Sequence, residues 1–65
     1  MSKQAGKIFK SARLKKGFTQ SQLSKKAGIY TNTYAKIERG EQDPSFATIK
    51  KIAKVLDLNL TDIPD

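Results

Sequence analysis

Thr19–Gly40, TQSQLSKKAGIYTNTYAKIERG, is the stretch whose reading decides the fold. Thr19 and Gln22 stand at the T-x-x-Q spacing of a capping box, in which each side chain bonds the other residue's backbone N–H at a helix start. Phe18 before the cap and Leu23 four residues after it supply an apolar clasp across that first turn. With Leu23 and Ala27 facing inward, the spacing predicts a short helix over about residues 20–26. Gly28 follows, where the chain must turn through positive φ. Ile29 then fills the angle before a second helix, expected from about Thr31 to Arg39 and closed by Gly40. Tyr34 and Ile37 are its core side. Its start carries Thr31, Asn32 and Thr33, with Lys36 one turn later, and no large apolar group among them.

Toward the N-terminus, Ala5, Ile8, Phe9 and Ala12 recur at helical spacing, with Lys3, Lys7 and Lys10 on the opposite side. This predicts a helix over about residues 4–16, stopped by Gly17, with Lys15 and Lys16 at the negative end of its dipole. Met1 to Lys3 have nothing to bury and are expected to fray. Arg13 falls at the margin of the apolar face, where an unpaired charge is costly, and Leu14 falls off the stripe altogether. Toward the C-terminus, Glu41 to Pro44 read as a loop and Ser45 as the cap of another helix. Phe46, Ile49, Ile52, Ala53 and Leu56 are its expected buried stripe, and Lys50, Lys51 and Lys54 its wet side. Beyond Asp57, Asn59 can cap a last turn carrying Leu60 and Ile63 before Pro64 stops it. The expectation is an all-α chain forming one domain over residues 4–63.

Composition narrows the function. A chain of 65 residues buries only roughly 60% of the surface it exposes when unfolded. A single core helped by a dimer contact is therefore expected. Without cysteine or histidine, the commonest metal ligands and the commonest general base are missing. The six carboxylates are scattered over loops and helix ends, which argues against an enzyme and against a metal or other cofactor. No pocket for a small molecule can be inferred. The basic N-terminus has no apolar run behind it, so neither a signal peptide nor a membrane span is expected, and the cytoplasm is the expected compartment. Thirteen lysines and arginines against six acids give a net charge of +7, which favours polyanions.

That charge, with two short helices about a tight turn, suits a device that pushes the second helix into the major groove of DNA. Helices used this way touch base edges through their first residues. An asparagine amide fits the N6/N7 edge of adenine, a threonine methyl meets the thymine methyl, and lysine donates to guanine. A half-site with at least one A·T pair opposite Asn32 is expected. The aromatic residues fall on buried stripes, which argues against a single-strand binder.

The pattern T19-Q20-x-x-L23-x-x-x-A27-G28-I29, then Y34-x-x-I37-E38-R39-G40, then P44-S45-x-x-T48-I49 resembles the phage-repressor and Cro type of helix-turn-helix domain. The resemblance runs from Ile8 to Ile63. It implies a compact five-helix, lambda-repressor-like fold with the helix-turn-helix at helices two and three. It further implies a homodimer on a near-palindromic double-stranded operator and a repressor-like role in transcription control. It places Gln20 against a phosphate and Thr31, Asn32, Thr33 and Lys36 against base edges. It also pairs Arg13 with Glu38 as scaffolding. Three features depart from the family pattern. Tyr30 replaces a small hydroxyl residue at the cap, so that either Thr31 takes the capping role or the phenol reaches a phosphate. The loop Glu41-Gln42-Asp43 is acidic and repels phosphate unless Arg39 compensates. Asp57 stands where a glycine is usual.

Leu58, Leu60 and Ile63 are the one candidate for an exposed apolar patch and serve either a self-dimer or a foreign partner. The alternative function is an antitoxin or adaptor whose main partner is a protein, with DNA binding used for autoregulation. An antitoxin would call for a further tail to reach its toxin, which favours the regulator.

Overall fold

The computed structural model describes residues 3–62. Four α-helices follow one another: α1 (Lys3–Lys15), α2 (Gln20–Ala27), α3 (Thr31–Glu38) and α4 (Phe46–Leu56). A single 3-10 turn at Leu60–Asp62 comes last. The expected five-helix count is thus corrected to four helices and a turn. A short segment just past a helix stop can close one tight turn, but not the several bonds that repay an α-helical nucleus. Ile63 and the fraying expected of Met1 and Ser2 lie outside the described residues; α1 itself begins at Lys3.

All four helices stop in the same way. Gly17, Gly28, Gly40 and Asp57 each take a left-handed φ between 56° and 75°. The following N–H then reaches back five residues: Phe18 to Arg13, Ile29 to Ser24, Glu41 to Lys36 and Leu58 to Ala53, at 2.9–3.1 Å. This is the Schellman closure, which satisfies carbonyls the helix leaves unpaired. Its usual companion is an apolar residue just past the stop that folds back on the helix. Phe18, Ile29 and Leu58 fill that place and pack against the core. After α3 the place is taken by Glu41, which stays in solvent.

The starts differ more. Thr19 and Gln22 form the expected capping box on α2, with both bonds present. Ser45 caps α4 by accepting from Thr48 N–H at 3.1 Å. Tyr30 precedes α3 with extended backbone but without a side-chain cap, and Thr31 is already the first helical residue.

The core is built from Ala5 and Phe9 of α1, Leu23 of α2, Tyr34 and Ile37 of α3, and Ile49, Ile52, Ala53 and Leu56 of α4. Phe46 does not join it, contrary to the stripe read from the sequence: it is 65% exposed. Side chains lean toward the N-terminus of their helix, so at the first position of α4 the ring overhangs the helix start. There it lies near the Lys50 ammonium, 5.5 Å from the ring centre. Leu14 is exposed as well.

α3 and α4 each pack on α1 and α2 and barely on one another. Gly6 sets how close α1 comes to α3. A Cβ built there would stand 2.4 Å from the Ile37 carbonyl oxygen and 2.6 Å from that of Glu38. The first turn of α1 therefore rests on the last turn of α3 with no side chain between them.

Candidate nucleic-acid interface

The helix that carries the candidate contacts is positioned from below by one carboxylate. Glu38, the last residue of α3, is buried. Its Oε2 accepts from Arg13 Nε at 2.6 Å and its Oε1 from Arg13 Nη2 at 3.2 Å, a forked pair between α3 and α1. Arg13 Nη1 also donates to the Phe18 carbonyl at 2.8 Å, in the link between α1 and α2. Gln20 Nε2, at the first turn of α2, donates to Glu38 Oε1 at 3.0 Å. The Arg13–Glu38 pairing expected from the resemblance is thus present, and Gln20 completes it. One side chain of α3 thus holds α1 and α2 directly, and the link between them through Arg13.

The electrostatics follow from that crowding. Burial works against the charge on Glu38, but the bonds from Arg13 and Gln20 outweigh it and hold its pKa below the usual value. The same partnership, with Glu38 foremost, raises the Arg13 pKa. Tyr34 stands beside them, fully buried; burial first and the Glu38 charge second push its phenol far above the usual range. Its hydroxyl finds no well-formed hydrogen bond.

Above this support, the start of α3 faces outward. Thr31, Asn32 and Lys36 are exposed and Thr33 is half-buried. Tyr30, 84% exposed, projects from the turn just before them. The four residues expected at base edges therefore sit within one turn and a half of a single helix, backed by Tyr34 and Ile37 in the core. The expected phosphate contacts are more dispersed. Gln20 is half-buried at the start of α2 and spends one amide N–H on Glu38, which leaves the second. Arg39 is exposed and forked onto Glu41, at 2.8 Å and 3.2 Å. That pairing offsets one charge of the acidic loop but also occupies the guanidinium.

The end of α2 and the turn into α3 are packed against the core. Ser24 is fully buried, and its Oγ donates to the Gln20 carbonyl at 2.6 Å. Gly28 reverses the chain, and Ile29 wedges against the core between the two helices. Two contributors escaped the sequence reading. Gln20 resembled a ligand contact, and only the fold brings it to Glu38, eighteen positions away. Gly6 left a signal that went unread: a glycine inside a helix costs about 1 kcal/mol relative to alanine, which implies a packing reason.

Residues 9–63 match the helix-turn-helix family. The chain belongs to this family, in its Cro and repressor branch. Among helix-turn-helix relatives is the transcriptional regulator SlrR of Bacillus subtilis, 34% identical over 61 residues, or 92% of this chain and 40% of SlrR. The chain thus spans less than half the length of that relative. The N-terminal DNA-binding domain of SinR from Bacillus subtilis superposes with a TM-score of 0.91 at 33% identity, covering 97% of this chain and 93% of that domain. A structure of SinR, the master regulator for biofilm formation, in complex with DNA gives a TM-score of 0.84 at 34% identity, covering 88% of this chain and 92% of that one. Among the described residues, no helix is long and apolar enough to cross a membrane.

Proposed function

We propose that this chain is a sequence-specific DNA-binding transcriptional regulator, repressor-like in action, which reads the major groove through the start of α3. The observation that carries this reading is the face presented by Thr31, Asn32, Thr33 and Lys36. It is polar, free of large apolar groups, and stands on a helix locked from behind by the Arg13–Glu38–Gln20 network. A rigid helix with short polar side chains at its start is what a groove lined by base-edge donors and acceptors accepts. The net charge of +7 adds attraction to phosphate. The likeness to a SinR domain solved with DNA supports the same activity.

In this reading Asn32 takes an adenine edge, Thr31 and Thr33 meet thymine methyls or phosphate oxygens, and Lys36 donates to a guanine. Gln20 gives its second amide N–H to a phosphate while Glu38 holds the first. Tyr30 offers its exposed hydroxyl to the backbone, and Arg39 does so once it lets go of Glu41. Two copies bind a near-palindromic site, joined through the C-terminal end, where Leu58 is half-buried and Leu60 exposed, with Ile63 next in sequence.

Selection of random duplex DNA on the purified protein tests the proposal. An inverted repeat with centres one helical turn apart is the expected product. Survivors without a shared sequence, held only by salt-sensitive binding, would overturn it.

A further inference from the structure

α1 has a side that neither the core nor the proposed DNA contact uses. It meets α3 through Gly6 and Arg13. Lys15 follows Gly6 by nine residues, about two and a half turns, and so lies on the opposite side of the helix. On that side Ile8, Ser11 and Ala12 face Leu56 and Leu58 across an open groove of about 550 Å3, with Lys7, Lys15 and Lys16 along its edge. Ile8, Ala12 and Leu58 are only half-buried there. Ser11 and Ala12 are small, which lets another helix approach to the roughly 8–10 Å of packed helices.

The charge of the groove is one-sided. No carboxylate lines it. Asp57, close to the Leu56–Leu58 wall in sequence, is already bound by Lys16 at 2.7 Å. Neither Lys7 nor Lys15 is ion-paired with an acid among the described residues. A second copy laid symmetrically on this face would set lysine against lysine. A DNA backbone would suit the lysines but leave Ile8, Ala12 and Leu58 unmatched, with no aromatic ring for a base to stack on. An amphipathic helix with an acidic flank satisfies both halves of the surface.

We propose that this outer groove of α1 docks an acidic amphipathic helix of a partner protein. Its apolar stripe lies on Ile8, Ala12 and Leu58, and its carboxylates meet Lys7 and Lys15. The inference goes beyond DNA binding and does not need it; it assigns Leu58 to the groove and leaves Leu60 and Ile63 for the dimer contact proposed above. Only its corollary, that partner and duplex are held together because the groove faces away from α3, rests on the proposed function.

The test is a titration of the isotope-labelled protein, followed by NMR, with a synthetic helix carrying leucine on one face and glutamate on the other. A peptide of the same composition with its leucines scattered around the helix is the control. Saturable shifts are expected at Lys7, Ile8, Ser11, Lys15 and Leu58. The variant Ser11→Glu is expected to bind the peptide at least about tenfold more weakly, a loss of about 1.4 kcal/mol. Ser11 is exposed and a glutamate there has Lys15 one turn on, so the variant should keep its helicity and its DNA affinity. Equal binding of the scattered peptide, wild-type affinity in Ser11→Glu, or shifts confined to other faces would overturn the proposal. So would displacement of the peptide by duplex DNA at these residues, or dissociation of a dimer by Ser11→Glu, which would assign the groove to nucleic acid or to a second copy.

Discussion

Glu38 carries a charge where burial disfavours one, and it can do so because Arg13 and Gln20 converge on it. Removing that charge leaves Arg13 buried and uncompensated, the costly way to break such a pair. Glu38→Gln is expected to cost about 3 kcal/mol in urea melts at neutral pH. A loss well under about 1 kcal/mol would mean that the pair is solvated and scaffolds nothing. The pH dependence has a definite sign. The Glu38 pKa in the folded chain lies below its ordinary value of 4.5. The folded state therefore binds that proton less readily than the unfolded one. The stability it contributes is complete above pH 4.5 and drains away as pH falls through the folded pKa. Acid titration of the melting temperature should show this limb in the native chain and a shallower one in Glu38→Gln. At the recognition surface, Asn32→Ala should lose about 1–3 kcal/mol on the selected site and relax preference at one base pair. Uniform loss across sequences would remove Asn32 from base reading. Gln20→Ala should instead weaken all duplexes alike, and lower the melting temperature too, because its amide also holds Glu38.

Between elements, the decisive distance is the approach of α1 to α3 at Gly6. Alanine is the better helix former by about 1 kcal/mol, so an open site would welcome Gly6→Ala. Here the new methyl meets two backbone carbonyls that cannot rotate away. Gly6→Ala should therefore destabilise by about 1–3 kcal/mol, and should disturb DNA binding because α3 must shift. Gly17→Ala is the contrast: a Cβ there meets nothing, and only the left-handed backbone resists it, at about 1–2 kcal/mol. If Gly6→Ala raised the melting temperature, the close approach would be refuted. These elements also show what the sequence made legible. Helix ends were readable because each is set by local chemistry: the Thr19–Gln22 box, the Ser45 cap, and the left-handed stops at Gly17, Gly28, Gly40 and Asp57. Phe46 was misplaced because periodicity tells which side a residue takes, not whether a neighbour reaches that end of the helix. The fifth helix was read from apolar residues whose segment closes only a 3-10 turn. For the candidate site, Thr31, Asn32, Thr33 and Lys36 could be grouped from spacing alone. The bond from Gln20 to Glu38 could not, since it depends on how two helices cross.

For the molecule as a whole, the distribution of charge matters more than its sum. Glu38, Glu41 and Asp57 are each bound to a cation, so much of the acidic charge is spent internally. The remaining lysines are spread over the outer sides of α1, α2 and α4 as well as Lys36 on α3. Such a surface draws the chain to any duplex and cannot by itself choose a sequence. Affinity and selectivity should therefore separate with salt. Binding to random DNA should fall as a power of salt concentration, with an exponent of about −0.9 per phosphate contacted. Binding to the selected operator should retain a salt-insensitive share from the base edges read by α3. Lys36→Gln distinguishes the two contributions at one residue. If Lys36 reads a guanine, the variant changes base preference at one position and leaves the slope on random DNA nearly intact. If it only meets phosphate, the slope on every sequence drops by about 1 and the preferred sequence stays the same. Titrations over a range of salt, on the operator and on a scrambled duplex, measure both. The second outcome would leave Asn32 and the two threonines as the residues of α3 that specify sequence.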